Sequence, residues 1–190
     1  MSSQTTRRLN LRQASVLAVD DNPMSLDLLK QILNGFRIKH LRECSSAEEA
    51  RKAIDEEPFD LLLIDGEMPA QSGLDLSRYV RSRVDQTNFT TPIMIVTAFT
   101  PPTTVREARD NGVNMVVSKP VSPAALLSRI EWIARNDRAF VVADNYSGPD
   151  RRFRKAGPPQ GVDERRAEAL ALTSDATREM SQADLDSLFG

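Results

Sequence analysis

The chain has 190 residues, a formal net charge of −2 and 27% charged side chains, so no overall basicity recommends nucleic acid or anionic lipid as a partner. Its length has room for one domain of roughly 120–125 residues, and what remains is too short for a second core of ordinary stability. The single cysteine, Cys44, excludes an internal disulfide and a cysteine-based metal site, which fits a reducing, cytoplasmic setting.

Residues 1–13 carry Arg7, Arg8 and Arg12 without an apolar core, so they read as a disordered lead-in, neither a secretory signal nor a membrane span. An apolar run over residues 16–19 closes on Asp20-Asp21. Pro23 then suits the first turn of a helix. Leu28, Leu29, Ile32 and Leu33 give that helix its apolar stripe, and Asn34-Gly35 signals its end. Residues 38–44 alternate and include His40, Arg42 and Glu43, which predicts an edge strand. Ser46 with Glu49 reads as a capping box for a second helix through Ile54. The run over residues 59–64 delivers Asp65, followed by Gly66-Glu67-Met68-Pro69 and Gly73. Leu74, Leu76, Tyr79 and Val80 predict a third helix. Residues 93–96 form a run closing on Thr97, residues 105–111 a short helix, residues 115–118 a run closing on Lys119-Pro120, and residues 123–135 a fifth helix. Strands this uninterrupted, alternating with helices, predict an α/β fold with a parallel sheet covered on both faces.

In such a sheet the carboxyl ends of the strands face one crevice. Three carboxylates gathered there repel unless a cation joins them, and a hard divalent ion, magnesium above all, suits oxygen ligands. Aspartate can accept a phosphoryl group as a mixed anhydride, so Asp65 is the candidate nucleophile. Thr97 offers a hydroxyl and Lys119 a cation to spread the charge of the transferred group. Each residue alone also has a plain reading: Asp21 or Asn22 as a helix cap, Thr97 and Lys119 as surface. Independent caps and surface residues have no reason to converge.

Asp20-Asp21, Asp65 with Met68-Pro69 and Gly73, Thr97-Ala98 and Lys119-Pro120, in this order over residues 14–136, resemble the receiver domain of two-component response regulators. The resemblance implies a flavodoxin-like, doubly wound five-stranded parallel sheet in the order 2-1-3-4-5. It also implies that Asp65 takes a phosphoryl group from a histidine kinase, and that Asp20, Asp21, Asp65 and the backbone carbonyl of Glu67 hold Mg2+. By the same likeness Lys119 contacts the phosphoryl oxygens, Thr97 moves toward them on activation, and the peptide before Pro120 is cis. Where the family has an aromatic switch residue three positions before the lysine, this chain has Val116. The rival reading, an aspartate-nucleophile phosphatase, needs a second aspartate two residues after the first, where this chain has Glu67. A phosphate sink for a kinase is the other alternative.

After the receiver, residues 137–162 read as a linker containing Gly148-Pro149, Gly157-Pro158-Pro159 and the basic residues Arg151, Arg152, Arg154 and Lys155. Residues 163–190 read as a tail with short helices, one over residues 163–172 and a terminal amphipathic peptide over residues 180–190. Nothing in it has the periodicity of a DNA-binding output domain. Ser181 and Asp184 can start that terminal helix, and Leu185, Leu188 and Phe189 make its apolar stripe. It looks like the peptide by which the flagellar switch protein binds activated chemotaxis receivers, on the face of their fourth helix, fifth strand and fifth helix. The expected function is a stand-alone response regulator, not an enzyme, acting through a downstream protein target, with a flagellar or chemotaxis component as the candidate. The peptide is expected to dock on its own domain, on a second copy or on a partner.

Overall fold

The apolar runs become the five strands of one parallel sheet: β1 (Ser15–Val19), β2 (His40–Cys44), β3 (Leu61–Asp65), β4 (Ile93–Thr97) and β5 (Met115–Ser118), in the order β2-β1-β3-β4-β5. The computed structural model describes residues 11–135, 138–151 and 180–189. Every residue of β3 and β4 is buried, because helices cover both faces. Leu62, Leu63 and Ile64 are fully enclosed, each stabilising the fold by ~1.5–3 kcal/mol relative to exposure. β2 is an edge strand, as its alternation predicts, and exposes His40 and Arg42. β5 is the opposite edge.

Helices α1 (Pro23–Gly35), α2 (Ala47–Glu56), α3 (Gly73–Ser82), α4 (Pro102–Asp110) and α5 (Pro123–Arg135) connect and follow the strands. Asn22 caps α1, its side chain accepting from the backbone N–H groups of Met24 and Ser25. The left-handed residue after α1 is Arg37 (φ 66°), not Gly35. The capping box expected at Ser46 is half formed: Ser46 Oγ accepts from Glu49 N, but the Glu49 carboxylate turns to Ser45 N. A complete capping box opens α3, between Ser72 and Asp75. α4 starts three residues earlier than its apolar pattern suggests, since Pro102 occupies its first turn and needs no N–H there.

Two boundaries differ from the sequence reading. Residues 11–13 are not disordered: they form a 3-10 turn, and Leu11 packs against the core. Residues 140–149, expected within a linker, form an antiparallel hairpin of β6 (Phe140–Ala143) and β7 (Tyr146–Pro149). It folds because Phe140 meets Phe89 edge to face at 5.0 Å, and Arg151, read above as one of the linker's basic residues, pairs with Asp110 at 2.6 Å and covers the Tyr146 ring. α6 (Gln182–Phe189) is a helix as expected, and it docks on the edge strand β5 of its own domain, one of the seats the sequence reading left open. The helix expected over residues 163–172 and the basic residues Arg152, Arg154 and Lys155 lie outside the described residues.

Candidate functional site

The parallel register brings the ends of β1, β3, β4 and β5 to one rim. Asp65 is the last residue of β3, Thr97 the last of β4, Asp20 follows β1 directly and Lys119 follows β5. Carboxylate oxygens of Asp20, Asp21 and Asp65 all lie within 4.8 Å of one another, the one such acidic group among the described residues. Asp20 is 1% exposed and Asp65 7%, whereas Asp21 is open to solvent. The cap role falls to Asn22, which leaves Asp21 for the rim. Asp20 is itself oriented, because its Oδ1 accepts from Asn22 N at 2.9 Å.

Lys119 reaches across the sheet, its Nζ 2.8 Å from Asp20 Oδ2 and 3.1 Å from Asp65 Oδ2. Burial raises the Asp65 pKa above its ordinary value; Lys119 opposes this and the Asp20 charge adds to it. Burial works against the Lys119 ammonium as well, but its hydrogen bond to Asp20 and the charges of Asp65 and Asp20 outweigh that, leaving its pKa raised. One ammonium facing three carboxylates leaves negative charge uncompensated. These hard oxygen donors fit a divalent cation such as Mg2+.

Two glycines let the backbone close on this rim. A side chain on Gly73 would meet the Asp65 carbonyl oxygen at 2.1 Å, and one on Gly66 would meet Thr97 Cβ at 2.7 Å. The Glu67 N–H donates to Asp65 Oδ1 at 3.3 Å, so the β3–α3 loop curls around the carboxylate. The Lys119–Pro120 peptide is cis, as the resemblance implies. Thr97 stands at the rim but its hydroxyl faces its own loop, accepting from Phe99 N at 3.1 Å. Val116 and Met115 are buried core residues, and Phe99 is half exposed.

Residues 16–131 match the family model described as response regulator receiver domain. The chain belongs to that family. Receivers are the phosphoacceptor signalling domains of two-component systems, and they pair with histidine kinases. The receiver is 34% identical over 111 residues to the response regulator protein PilR of Pseudomonas aeruginosa, a match covering 58% of this chain and 24% of that protein. The chain thus spans about a quarter of PilR's length. Among solved structures it is similar to the chemotaxis protein CheY4 of Vibrio cholerae, with TM-score 0.59 and 25% identity over 64% of this chain and 98% of that one. It is also similar to the receiver domain of the histidine kinase CKI1 from Arabidopsis thaliana, which was crystallised with Mg2+ (TM-score 0.57, 26% identity, 64% of this chain and 94% of that one). The matched sheet order is the one expected, and no helix among the described residues is long and apolar enough to cross a membrane.

The sequence reading missed what surrounds α6. Ser118, between Val117 and Lys119, donates through both N–H and Oγ to Gln182 Oε1, at 2.9 and 3.0 Å. Thr100 and Met180 exchange two hydrogen bonds, Met180 N to Thr100 O at 2.8 Å and Thr100 Oγ1 to Met180 O at 3.0 Å. Leu185 and Phe189 are fully buried and Leu188 packs beside them. Arg129 of α5 pairs with Asp186. A signal existed in Gln182, a polar side chain spaced to reach the open edge of a strand, but nothing local says which edge.

Proposed function

We propose that this protein is a stand-alone response regulator that takes a phosphoryl group from a histidine kinase on Asp65 and signals through phosphorylation-dependent protein contacts. The observation that carries the proposal is the placement of a buried Asp65 carboxylate between Lys119 and two further aspartates at the carboxyl ends of the strands. In the transfer an Asp65 Oδ forms a bond to phosphorus as the P–N bond to the donor imidazole breaks, the electron pair leaving with the nitrogen. Asp20, Asp21, Asp65 and the Glu67 backbone carbonyl would hold Mg2+. When bound, that ion neutralises charge developing on the phosphoryl oxygens. Lys119 supplies a second cation, already within hydrogen-bond reach of Asp65, and Thr97 lies one strand away with a hydroxyl to donate.

The proposed output is by protein contact through the face that α6 covers, with the terminal peptide as an autoregulatory and partner-docking element presenting Leu185, Leu188 and Phe189. Its likeness to the flagellar-switch peptide, together with the similarity to a chemotaxis protein, supports a downstream target among motility components. A phosphatase is disfavoured because Glu67, not aspartate, stands two residues after Asp65.

The test is intact mass after incubation with Mg2+ and a small phosphoryl donor such as acetyl phosphate or phosphoramidate. The wild type should gain one phosphoryl group, labile to hydroxylamine, and Asp65→Asn should gain none. Identical spectra for the two proteins overturn the proposal.

A further inference from the structure

The hairpin has two long edges, and they are protected unequally. The outer edge of β7 is closed. Gly148 and Pro149 are buried, a side chain on Gly148 would meet Gly112 Cα at 2.5 Å, proline has no N–H to offer, and the Pro149 carbonyl accepts from the Tyr146 hydroxyl at 2.6 Å. The outer edge of β6 has none of these protections. Ala139, Val142 and Ala143 are exposed, Val142 at 57%, and residues 139–143 contain neither a charge nor a proline. We propose that β6 pairs antiparallel with β6 of a second copy of this chain, joining the two hairpins into one continuous sheet in the order β7-β6-β6-β7.

The register of the hairpin fixes which groups are available. Phe140 stands opposite Pro149, Val141 opposite Gly148, Val142 opposite Ser147 and Ala143 opposite Tyr146. Beyond this ladder the Asp150 N–H donates to Ala139 O at 2.8 Å. Ala139, Val141 and Ala143 therefore direct their backbone groups into the hairpin, and the alternation of an antiparallel ladder turns those of Phe140 and Val142 outward. Among the described residues no hydrogen bond reaches these outward groups. An apolar edge of good strand formers is a template for another strand, and a hairpin of two strands gains stability when its sheet is extended.

A second copy is the partner that this edge fits. With the two-fold axis at Val141, Phe140 of each copy lies opposite Val142 of the other, and the outward N–H and C=O groups of both are satisfied at once. Val141 then faces its own counterpart, a β-branched cross-strand pair of the kind that stabilises sheets. The same register sets Ala139 against Ala143, and Arg138 against Asp144 of the partner subunit, so opposite charges meet at both ends of the pairing. Such an isologous contact occupies both open edges and stops at a dimer. It is short, which places it among the small, reversible interfaces. The hairpin is fastened at the amino ends of β4 and β5 through Phe89 and Gly112, away from the acidic rim, so the pairing leaves that rim and α6 open in both copies.

Analytical ultracentrifugation of the full-length protein from about 1 to about 100 μM tests the pairing. The weight-average mass should climb toward twice that of the monomer. Val142→Pro, which removes an outward N–H and leaves the inner ladder intact, should remain a monomer over the same range. Two cysteine variants read the register. Val141→Cys puts two thiols across the axis, with Cα atoms about 4.5 Å apart and within disulfide reach, and should become a cross-linked dimer under mild oxidation. Ala143→Cys puts them out of register, so it should cross-link no faster than the wild type, whose Cys44 is buried. If Val142→Pro loosens the hairpin itself, the two cysteine variants decide. A wild type that stays monomeric throughout the range overturns the proposal, as does a dimer that a folded Val142→Pro variant retains, equal cross-linking of the two cysteine variants, or an association that appears only with beryllium fluoride and Mg2+.

Discussion

Two charged centres sit at opposite ends of the same strands and are solved in opposite ways. At the carboxyl ends, Asp20, Asp21 and Asp65 cluster, and one ammonium, that of Lys119, pairs with Asp20 and Asp65. At the amino ends of β4 and β5, Arg81 of α3 is 5% exposed, and none of its described hydrogen-bond partners is a carboxylate. Its guanidinium donates to the carbonyl oxygens of Gly112, Phe89 and Thr91 and to Asn114 Oδ1. The Phe140 ring of the hairpin lies against it, 5.3 Å from the guanidinium carbon to the ring centre. Burial lowers its pKa to about 9. Fixed neutral acceptors take four hydrogen bonds from Arg81 and join the starts of two strands to a helix and a hairpin, so that end is a fastener. The acidic rim keeps an unbalanced charge and one exposed carboxylate, and so has capacity left for a cation and a reactant.

The largest effect should come from breaking the fastener. Arg81→Met strands the carbonyl groups of Gly112, Phe89 and Thr91, while Asn114 Oδ1 keeps the Ile93 N–H, and should lower the unfolding free energy by about 3–5 kcal/mol, read from urea denaturation. Mg2+ binding by the folded fraction should be unchanged. At the rim the same logic predicts loss of binding without loss of fold. Asp20→Asn should weaken Mg2+ at least ~10-fold, the least that losing even an outer partner of a metal ligand costs, while its denaturation curve stays close to the wild type. A calorimetric titration showing undiminished affinity would remove Asp20 from the cation site. Phe140→Ala tests whether the hairpin shields Arg81. With the ring half buried, the expected cost is about 1–2 kcal/mol, together with faster amide exchange in residues 140–149.

The smallest effect is electrostatic and separates the two ends by sign. The Asp65 pKa in the folded protein lies above the ordinary 3.8, so between those two values the folded state holds the proton more tightly than the unfolded chain. Stability of the metal-free protein should therefore fall as pH rises through the folded pKa of Asp65. Asp65→Asn, which removes the buried charge, should melt a few degrees higher than the wild type at neutral pH without metal. A lower melting temperature would mean that the Lys119 contact outweighs the burial.

How much of this was legible in the sequence differs by element. The apolar runs over residues 16–19, 59–64, 93–96 and 115–118 each pass through a fully covered sheet, so their composition alone revealed the strands and the polar residues that end them. Residues 38–44 betrayed their edge position by alternating. The hairpin was missed although Asp144-Asn145 between Val141-Val142-Ala143 and Tyr146 is a usable turn signal. Gly148-Pro149 suggested an irregular segment instead, and the hairpin's stability comes from Phe89 and Asp110, far away in the chain. The terminal helix was legible as a helix from Ser181, Asp184 and its apolar stripe, because capping and periodicity are local.

The sequence by itself determined which residues end each strand, and hence the identity of the acidic rim, its lysine and its threonine. A strand's burial and its terminal residue are both written within a few positions of each other. The tertiary structure alone decided that Asn22 takes the cap and frees Asp21, that Arg81 is enclosed by carbonyls from separate loops, and that Gln182 fills the open edge at Ser118. Those outcomes depend on which groups meet across long separations in the chain, where a competing hydrogen bond or an available edge, not a local pattern, settles the partner.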